Sequence, residues 1–361
     1  MPADLVAKGF NRHTFLCGQS GSGKTYTLGR VLEQLLLATD LRIAVFDPNS
    51  DYTHMASLRP RDETALDERE YGELEQRYGP IAAGIHVFGG PNAPRPLQAR
   101  FGRLSQQQQT MLLGPDPIRD AEEYSAFVRT VDRIGGDRYG LEDVLLSLRD
   151  SFADEDRRLG MRIVNLGVAD LPIWASAGDT PMRDALPPDW RMLVFDLGSL
   201  ASDREQWVAS AAALGELWAL RTRRQPLLIV IDEAHNVCPR EPVSPNQALA
   251  TEHAVRIAGE GRKFGRYLLL ATQQPDKVHA NVVSQCDSLL LMRMNSAADI
   301  ESLKSAFSFV PDTLLDQASG FRLGEGLAAG KVAPHPLRFV TGRRYTVEGG
   351  ADIPSTWAEP R

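Results

Sequence analysis

The sequence contains few cysteines and no long apolar run. The chain of 361 residues contains three cysteines, and this odd number of cysteines lies far apart in the sequence. This pattern argues against a disulfide framework or a zinc site and favours a reducing cytoplasm. The apolar run Leu227–Ile231 has the length of a strand, and no run approaches the roughly 18 residues of a membrane span. The N-terminus lacks the charged region and apolar core of a signal peptide, so we expect a cytoplasmic protein without membrane contact.

The chain also lacks an excess of positive charge. It carries 47 acidic against 40 basic residues, a net charge of −7, and its pI is about 5.6. This balance argues against a broad nucleic-acid-binding face, although a narrow channel lined by a few basic side chains stays possible. The length allows one large α/β domain or two smaller ones, and no internal repeat is present.

Eight residues near the N-terminus match the P-loop pattern G-x-x-x-x-G-K-[ST]. An apolar stretch at 14–17 precedes them, and a helical pattern at 26–38 follows, which is the strand–turn–helix context that the motif requires. Such a loop binds phosphates through backbone N–H groups, with Lys24 on the β- and γ-phosphates and the Thr25 hydroxyl on Mg²⁺. The alternative is a glycine-rich turn with a stray lysine. The predicted nucleotide-binding residues are Gly18, Gln19, Ser20, Gly21, Ser22, Gly23, Lys24, Thr25 and Tyr26.

Apolar strands alternate with helical patterns along most of the chain, which predicts an α/β fold with a mostly parallel sheet covered on both faces. The predicted strands are 14–17, 42–46, 85–88, 97–101, 192–195, 227–231, 266–272, 288–293 and 337–340. Residues 91–189 show mainly helical patterns without a catalytic motif. We therefore predict a discontinuous core of residues 1–90 and 190–345, a helical insertion at 91–189 and a C-terminal tail at 346–361.

A second motif follows the apolar run Leu227–Ile231, where Asp232 and Glu233 come directly after the strand. This is the Walker B arrangement, in which Asp232 holds Mg²⁺ and Glu233 polarises an attacking water. Adjacent acids favour hydrolysis over transfer to a small molecule, because a kinase must exclude water. The alternative is a strand followed by a charged loop.

Three further side chains are candidate catalytic residues. Gln273 closes the strand after Walker B and is preferred over Gln274 as a sensor of the γ-phosphate or the attacking water, the alternative being a polar turn before Pro275. Arg262 and Arg293 are rival arginine fingers that would act on a neighbouring subunit's site. Each arginine could instead be a solvated or salt-bridged residue.

Other polar residues at strand ends leave two interpretations open. His235 could sense the γ-phosphate or serve as a structural histidine. Asp47 and Asp196 could contact waters on Mg²⁺ or cap the turns that follow their strands.

Taken together, these motifs resemble the HerA branch of the HerA/FtsK superfamily of ring-forming, DNA-translocating ATPases. The resemblance covers most of residues 10–345, and the helical middle is its least specific part. The segments that carry it are residues 18–25, 47–52, 230–235, 260–265, 271–275 and 284–288 with Arg293 and Asn295, followed by 324–330, Pro336 and a last strand at 337–340.

The resemblance implies a RecA-like P-loop NTPase core with an inserted helical subdomain, ATP and Mg²⁺ as ligands, and a hexameric ring with ATP sites between subunits. It also implies DNA as a partner and a nuclease or other effector protein as a further one. Two features depart from the family. The P-loop begins at residue 18, so we expect the family's N-terminal β-barrel to be missing, and Asn49-Ser50 replace the more usual His-Gly.

The leading functional hypothesis is an ATP-hydrolysing ring translocase of the helicase type that acts on DNA with sites shared between subunits. The alternative is a nucleotide-gated oligomeric assembly module that controls an effector, such as a nuclease in DNA processing or phage defence, with little motor activity. A small-molecule kinase is a third hypothesis, which Glu233 and the chain length disfavour.

Overall fold

The computed structural model describes residues 5–176 and 178–350, and most of the predicted tail at 346–361 lies outside them. Within these ranges the strands form one sheet in the order β3-β4-β2-β5-β6-β1-β7-β8-β9. The strands are β1 His13–Cys17, β2 Arg42–Asp47, β3 Ile85–Phe88, β4 Met192–Asp196, β5 Leu227–Ile231, β6 Arg266–Thr272, β7 Cys286–Met292, β8 Glu325–Gly330 and β9 Leu337–Val340.

Helices connect the strands and cover both faces of the sheet. They are α1 Lys24–Ala38, α2 Arg61–Thr64, α3 Glu68–Ala83, α4 Gln106–Leu113, α5 Ala121–Ile134, α6 Leu141–Arg149, α7 Asp154–Leu166, α8 Asp203–Ala219, α9 Ala234–Val237, α10 Pro245–Glu260, α11 Ala280–Val283, α12 Ala297–Ala306 and α13 Asp312–Leu315. Among the described residues, no helix is both long and apolar enough to cross a membrane.

The sheet is parallel from β3 through β7, and β8 and β9 pair antiparallel at one edge. The predicted α/β class with a mostly parallel sheet is therefore confirmed. The predicted strand at 97–101 is wrong, because Ala99 makes only an isolated bridge to Trp174 and the segment does not join the sheet. The prediction also contained no strand at 325–330, where β8 forms. The Gly and Ala residues of β8 carry little strand propensity, so its position is set by pairing with β7 and β9.

The central strands are buried on both faces, as their continuous apolar sequences predict. In β1, Phe15 and Cys17 pack into the core on one face, and Leu16 packs into the core on the other. The first core joins the sheet to α4–α8 and α10, and the second joins it to α1 and α3. The helices α4–α7 thus share one continuous core with the sheet, and the division into an ATPase core and an inserted helical subdomain, with its exact boundaries, stays a prediction.

The parallel strands bring their carboxyl ends to one edge of the sheet. Cys17 at the end of β1 is in register with Thr272 of β6, and Phe46 of β2 is in register with Ile231 of β5. The loops after β1, β2, β5 and β6 therefore meet along this edge, which is the usual ligand-binding edge of an open α/β sheet.

The opposite edge contains a buried histidine at the start of β1. Nδ1 of His13 accepts a hydrogen bond from the Leu268 amide at 2.9 Å, so its Nε2 donates to the Ala258 carbonyl at 3.0 Å. Burial lowers the pKa of His13 to about 4, with the charge of Arg262 adding to the shift. The neutral ring therefore joins β1 to β6 and to the end of α10.

We predict that His13 makes the fold sensitive to acid. Its folded pKa lies below the unfolded value, so its stabilisation is complete above pH 6.5 and is lost as the pH falls towards 4. The loss is on the order of 3 kcal/mol at pH 4. The measurement is urea unfolding at several pH values. His13→Gln should flatten the fall between pH 6.5 and 4, and the exposed-site control His335→Asn should leave it unchanged. An unaltered slope in His13→Gln would contradict this prediction.

Candidate nucleotide-binding site

The P-loop connects β1 to α1 and depends on glycine at three positions. Gly21 and Gly23 have φ angles of 68° and 87°, in the left-handed region that glycine adopts without steric cost. Gly18 has a different constraint, because a Cβ atom there would lie 2.5 Å from Cβ of Met292 in β7. The first glycine thus allows the loop to approach β7, and the other two allow it to turn into α1.

The loop is held in place by segments that follow β7 and precede β8. The Gln19 amide donates to the Arg293 carbonyl at 2.9 Å, and Nη2 of Arg293 donates to the Gly21 carbonyl at 2.9 Å. The Gly324 amide donates to the Ser22 carbonyl at 3.0 Å. These contacts fix one amide and two carbonyl groups of the loop, so its conformation is set by the fold itself.

The remaining predicted binding residues lie at the tip of the loop and in the first turn of α1. Ser20 is exposed, and Thr25 and Tyr26 are partly exposed at the start of the helix. The first amides of α1 have no partner within the helix and therefore suit an anion. The Tyr26 hydroxyl accepts a hydrogen bond from the Arg344 amide at 2.7 Å, which ties this turn to the segment after β9.

The central contact of the site is between Lys24 and the two acids after β5. Nζ of Lys24 lies 2.6 Å from Oδ1 of Asp232 and 2.9 Å from Oε1 of Glu233. All three side chains are buried. Burial alone would lower the pKa of Lys24, but the two carboxylates outweigh it and raise the pKa. The structure therefore brings the P-loop lysine and the Walker B acids together.

Glu233 has a strained backbone and one unsatisfied oxygen. Its φ of 43° lies in the left-handed region, which a residue with a Cβ adopts only when its surroundings impose it. Oε1 accepts from Nε2 of Gln273 at 2.9 Å, whereas the buried Oε2 has no hydrogen-bond partner among the described residues. Burial raises the pKa of Glu233, but Lys24 and Gln273 reverse this and lower the pKa, so the side chain is ionised.

His235 lies beside this carboxylate. Its Nδ1 is 3.4 Å from Oε2 of Glu233 and 3.0 Å from Oγ1 of Thr272 at the end of β6. Burial lowers the pKa of His235, so the ring is neutral at pH 7. The contact with Thr272 gives the histidine a structural role, and its position next to Glu233 keeps the predicted sensor role open.

Asp232 has a further partner that the sequence analysis did not identify. The hydroxyl of Tyr52 donates to Oδ2 of Asp232 at 3.0 Å, and both side chains are fully buried. Burial and the neighbouring carboxylates raise the pKa of Tyr52, which keeps its hydroxyl protonated. Tyr52 belongs to the segment 47–52 that carries part of the family resemblance, and this was its only signal in the sequence.

The turn after β2 is organised by a buried carboxylate. Asp47 accepts the amides of Tyr52 at 2.8 Å and Asp51 at 3.0 Å, so it caps this turn. Burial raises the pKa of Asp47 to about 7 and that of Asp51 to about 6. The structure thus gives Asp47 the capping role, one of its two predicted alternatives.

The departure from the family at Asn49-Ser50 coincides with unusual backbone geometry. Ser50 has a φ of 62°, a conformation that favours glycine, which is the residue more often found there. Its hydroxyl donates to Oδ1 of Asp196 at the end of β4, at 2.6 Å. The serine therefore adds a hydrogen bond between the ends of β2 and β4.

The two candidate arginine fingers occupy different edges of the sheet. Arg293 contacts the P-loop of its own chain, as described above. Arg262 lies in the turn Gly261–Phe264 before the amino end of β6, and its Nη1 is 2.9 Å from Oδ2 of Asp287. Arg262 is thus on the edge opposite Lys24, and the chain does not bring it to its own P-loop.

The donors present fit a Mg²⁺ ion that is bound mainly through phosphates and water. Among the described residues, no group of three or more His, Cys, Asp or Glu side chains could hold a metal. Mg²⁺ commonly keeps several waters and takes only one or two protein ligands beside nucleotide phosphates. The Thr25 hydroxyl and the Asp232 carboxylate are the predicted ligands: Thr25 follows Lys24 in the first turn of α1, and Asp232 contacts the Lys24 ammonium.

Sequence comparison relates part of this chain to known proteins. Residues 2–152 match the family model of the helicase HerA central domain. A probable helicase of Methanocaldococcus jannaschii is 29% identical over 129 residues, which cover 36% of this chain and 24% of that protein. The DNA double-strand break repair helicase HerA of Pyrococcus furiosus is 30% identical over 111 residues, covering 31% of this chain and 19% of that protein. The chain thus aligns with a quarter or less of these relatives' length.

Solved structures resemble nearly the whole chain. VirB4 of Thermoanaerobacter pseudethanolicus superposes with a TM-score of 0.61 at 17% identity, covering 91% of this chain and 88% of that one. The plasmid coupling protein TrwB, in complex with ADP and Mg²⁺, gives a TM-score of 0.60 at 13% identity, with coverage of 97% and 93%. The predicted RecA-like fold is confirmed by this likeness.

Proposed function

We propose that this chain is an ATP-hydrolysing motor of the HerA branch of the HerA/FtsK superfamily that acts on DNA, because residues 2–152 match the HerA central domain. In this proposal the motor is a ring whose sites are shared between subunits. The observation that carries the enzymatic part is the position of the Lys24 ammonium between Asp232 and Glu233, at 2.6 and 2.9 Å. This juxtaposition joins the P-loop to the Walker B acids across the sheet.

Residues 18–26 would bind the phosphates of ATP. The positive φ angles of Gly21 and Gly23 support this role, because they direct the loop into the N-terminus of α1. Thr25 and Asp232 would hold Mg²⁺, which when bound neutralises phosphate charge. Lys24 supplies a second positive charge at the same place.

Glu233 would orient the attacking water as the catalytic carboxylate. It is ionised, its Oε1 is held by Lys24 and Gln273, and its Oε2 has no hydrogen-bond partner among the described residues. An oxygen with this unused capacity can accept a hydrogen bond from a water molecule and so orient it. Gln273 fixes the carboxylate and would act as the sensor at the end of β6. These features favour hydrolysis over small-molecule phosphorylation.

The sequence relatives support an action on DNA, whereas the net negative charge of the chain argues against it. The relative from Pyrococcus furiosus is described as a DNA double-strand break repair helicase. The net charge of −7 instead favours the second candidate, a nucleotide-gated oligomer that controls a nuclease or another effector with little motor activity. The two candidates differ in whether DNA changes the rate of hydrolysis.

We predict that substitutions of Lys24 and of Glu233 affect different steps, ATP binding in the first case and ATP hydrolysis in the second. Lys24→Ala should abolish ATP binding, because it removes the ammonium and leaves two buried carboxylates unpaired. Glu233→Gln should bind ATP and lose at least about a hundredfold in hydrolysis rate. Calorimetric titration and a phosphate-release assay give the two measurements, and the exposed Glu241→Gln is the control. Hydrolysis by Glu233→Gln at the parental rate would remove Glu233 from the catalytic role.

We predict that duplex DNA stimulates hydrolysis and that this stimulation weakens with salt. Contacts to the DNA backbone release counterions, so binding falls steeply as the salt concentration rises. The measurement combines ATPase rates at several salt concentrations with mass determination in the presence and absence of ATP and DNA. A ring that forms with ATP but hydrolyses at the same rate with and without DNA would favour the gated assembly module.

We predict that Arg262 acts in trans and Arg293 in cis. Mixing inactive Arg262→Ala subunits with inactive Lys24→Ala subunits creates some interfaces with an intact lysine and an intact arginine. In an equimolar mixture about a quarter of the interfaces are intact, so activity should partly return. Mixing Arg293→Ala with Lys24→Ala should restore nothing, because Arg293 contacts the P-loop of its own chain. Equal recovery in both mixtures, or none in the first, would contradict this assignment.

A further inference from the structure

Tyr52 connects two buried carboxylates at the ligand-binding edge. Its amide donates to Oδ2 of Asp47 at 2.8 Å, and its hydroxyl donates to Oδ2 of Asp232 at 3.0 Å. The tyrosine is fully buried, and its ring packs in the core on the α1 face of the sheet. The capped turn after β2 therefore fixes both the position of the ring and the direction of its hydroxyl.

The two carboxylate oxygens of Asp232 have different partners, and the Tyr52 hydroxyl binds one of them. Oδ1 accepts from Nζ of Lys24 at 2.6 Å and from the Glu233 amide at 2.9 Å. Oδ2 accepts from Tyr52. With Oδ2 engaged, the carboxylate cannot turn about its Cβ–Cγ bond without breaking a buried hydrogen bond, which is unfavourable when no water replaces it. Oδ1 is thus the oxygen directed towards the P-loop.

The geometry points to Tyr52 as a positioning residue for Asp232, holding its carboxylate so that one defined oxygen faces Lys24 and the Mg²⁺ ligand position. This inference rests on the proposed ATP-dependent function. It extends that function by assigning the Mg²⁺ dependence of nucleotide binding to a residue outside the P-loop and Walker B segments. Tyr52 does not reach the phosphates itself but acts through Asp232.

A purely structural tyrosine lies close by and provides a matched control. Tyr78 is also buried in the same core, and its hydroxyl donates to the Met55 carbonyl at 2.7 Å. Tyr52→Phe and Tyr78→Phe each remove one buried hydroxyl and keep the aromatic ring. Both variants should therefore lose thermal stability, and only the first should alter the orientation of Asp232.

The test measures the affinity of a non-hydrolysable ATP analogue by calorimetry, using the full chain with Mg²⁺ or with EDTA. A hydrogen bond to a charged group contributes about 1.5–3 kcal/mol, so its loss at the Mg²⁺ ligand corresponds to roughly a tenfold effect or more. Tyr52→Phe should bind the analogue in EDTA within about twofold of the parent but need about ten times more Mg²⁺ for half-maximal binding. Tyr78→Phe should match the parent in both conditions.

A double-mutant cycle with Asp232→Asn tests whether Tyr52 acts through Asp232. If it does, Tyr52→Phe should add no further change in Mg²⁺ dependence when Asp232 is already replaced. The inference would be overturned if Tyr52→Phe changed the Mg²⁺ midpoint equally in the presence and absence of Asp232→Asn. A normal Mg²⁺ midpoint in Tyr52→Phe would also overturn it, and so would the same shift of the midpoint in Tyr78→Phe. A parent chain that binds the analogue without any Mg²⁺ dependence, or not at all, would instead remove the proposed function as well.

Discussion

A lysine ammonium held between two carboxylates in the protein interior is the contact on which the candidate site depends. Removing Lys24 would leave the two buried carboxylates without their counter-ion, and breaking a buried ion pair in this way typically destabilises a protein by about 3–5 kcal/mol. Lys24 comes from the P-loop, and Asp232 and Glu233 come from the end of β5. The contact therefore joins the loop after β1 to the end of β5, two segments that are more than 200 residues apart.

Additional hydrogen bonds fix the orientation of the two carboxylates and of the P-loop around this charge cluster. Tyr52 occupies the second oxygen of Asp232, Gln273 supports Glu233, and Arg293 holds the P-loop carbonyl of Gly21. Each comes from a different strand end, so the site exists only when the parallel order of the sheet is complete. The left-handed backbone of Glu233 shows that the fold imposes strain to place its carboxylate, as is common at functional sites.

Local sequence signals predicted the strands and the short motifs, because these depend on contiguous residues. The P-loop and the run Leu227–Ile231 are examples. Tyr52 could not be assigned a role, because its hydrogen bond to Asp232 spans 180 positions and leaves no periodic pattern. Strand β8 was missed for a related reason, since its small residues become a strand only through pairing with β7 and β9. The role of Tyr52 and the position of β8 therefore depend on tertiary contacts and not on local propensity.

The positions of the two arginines restrict how subunits could share a site. Strand β6 contains seven residues, so its ends are separated by roughly 20 Å at about 3.3 Å per residue. Arg262 precedes the amino end of this strand, whereas Gln273 and the P-loop lie at the carboxyl end, and an arginine side chain is too short to cross that distance. Arg262 can therefore reach phosphates only in a second subunit. Arg293 already donates to its own P-loop, so the hypothesis of a shared site depends on Arg262 alone.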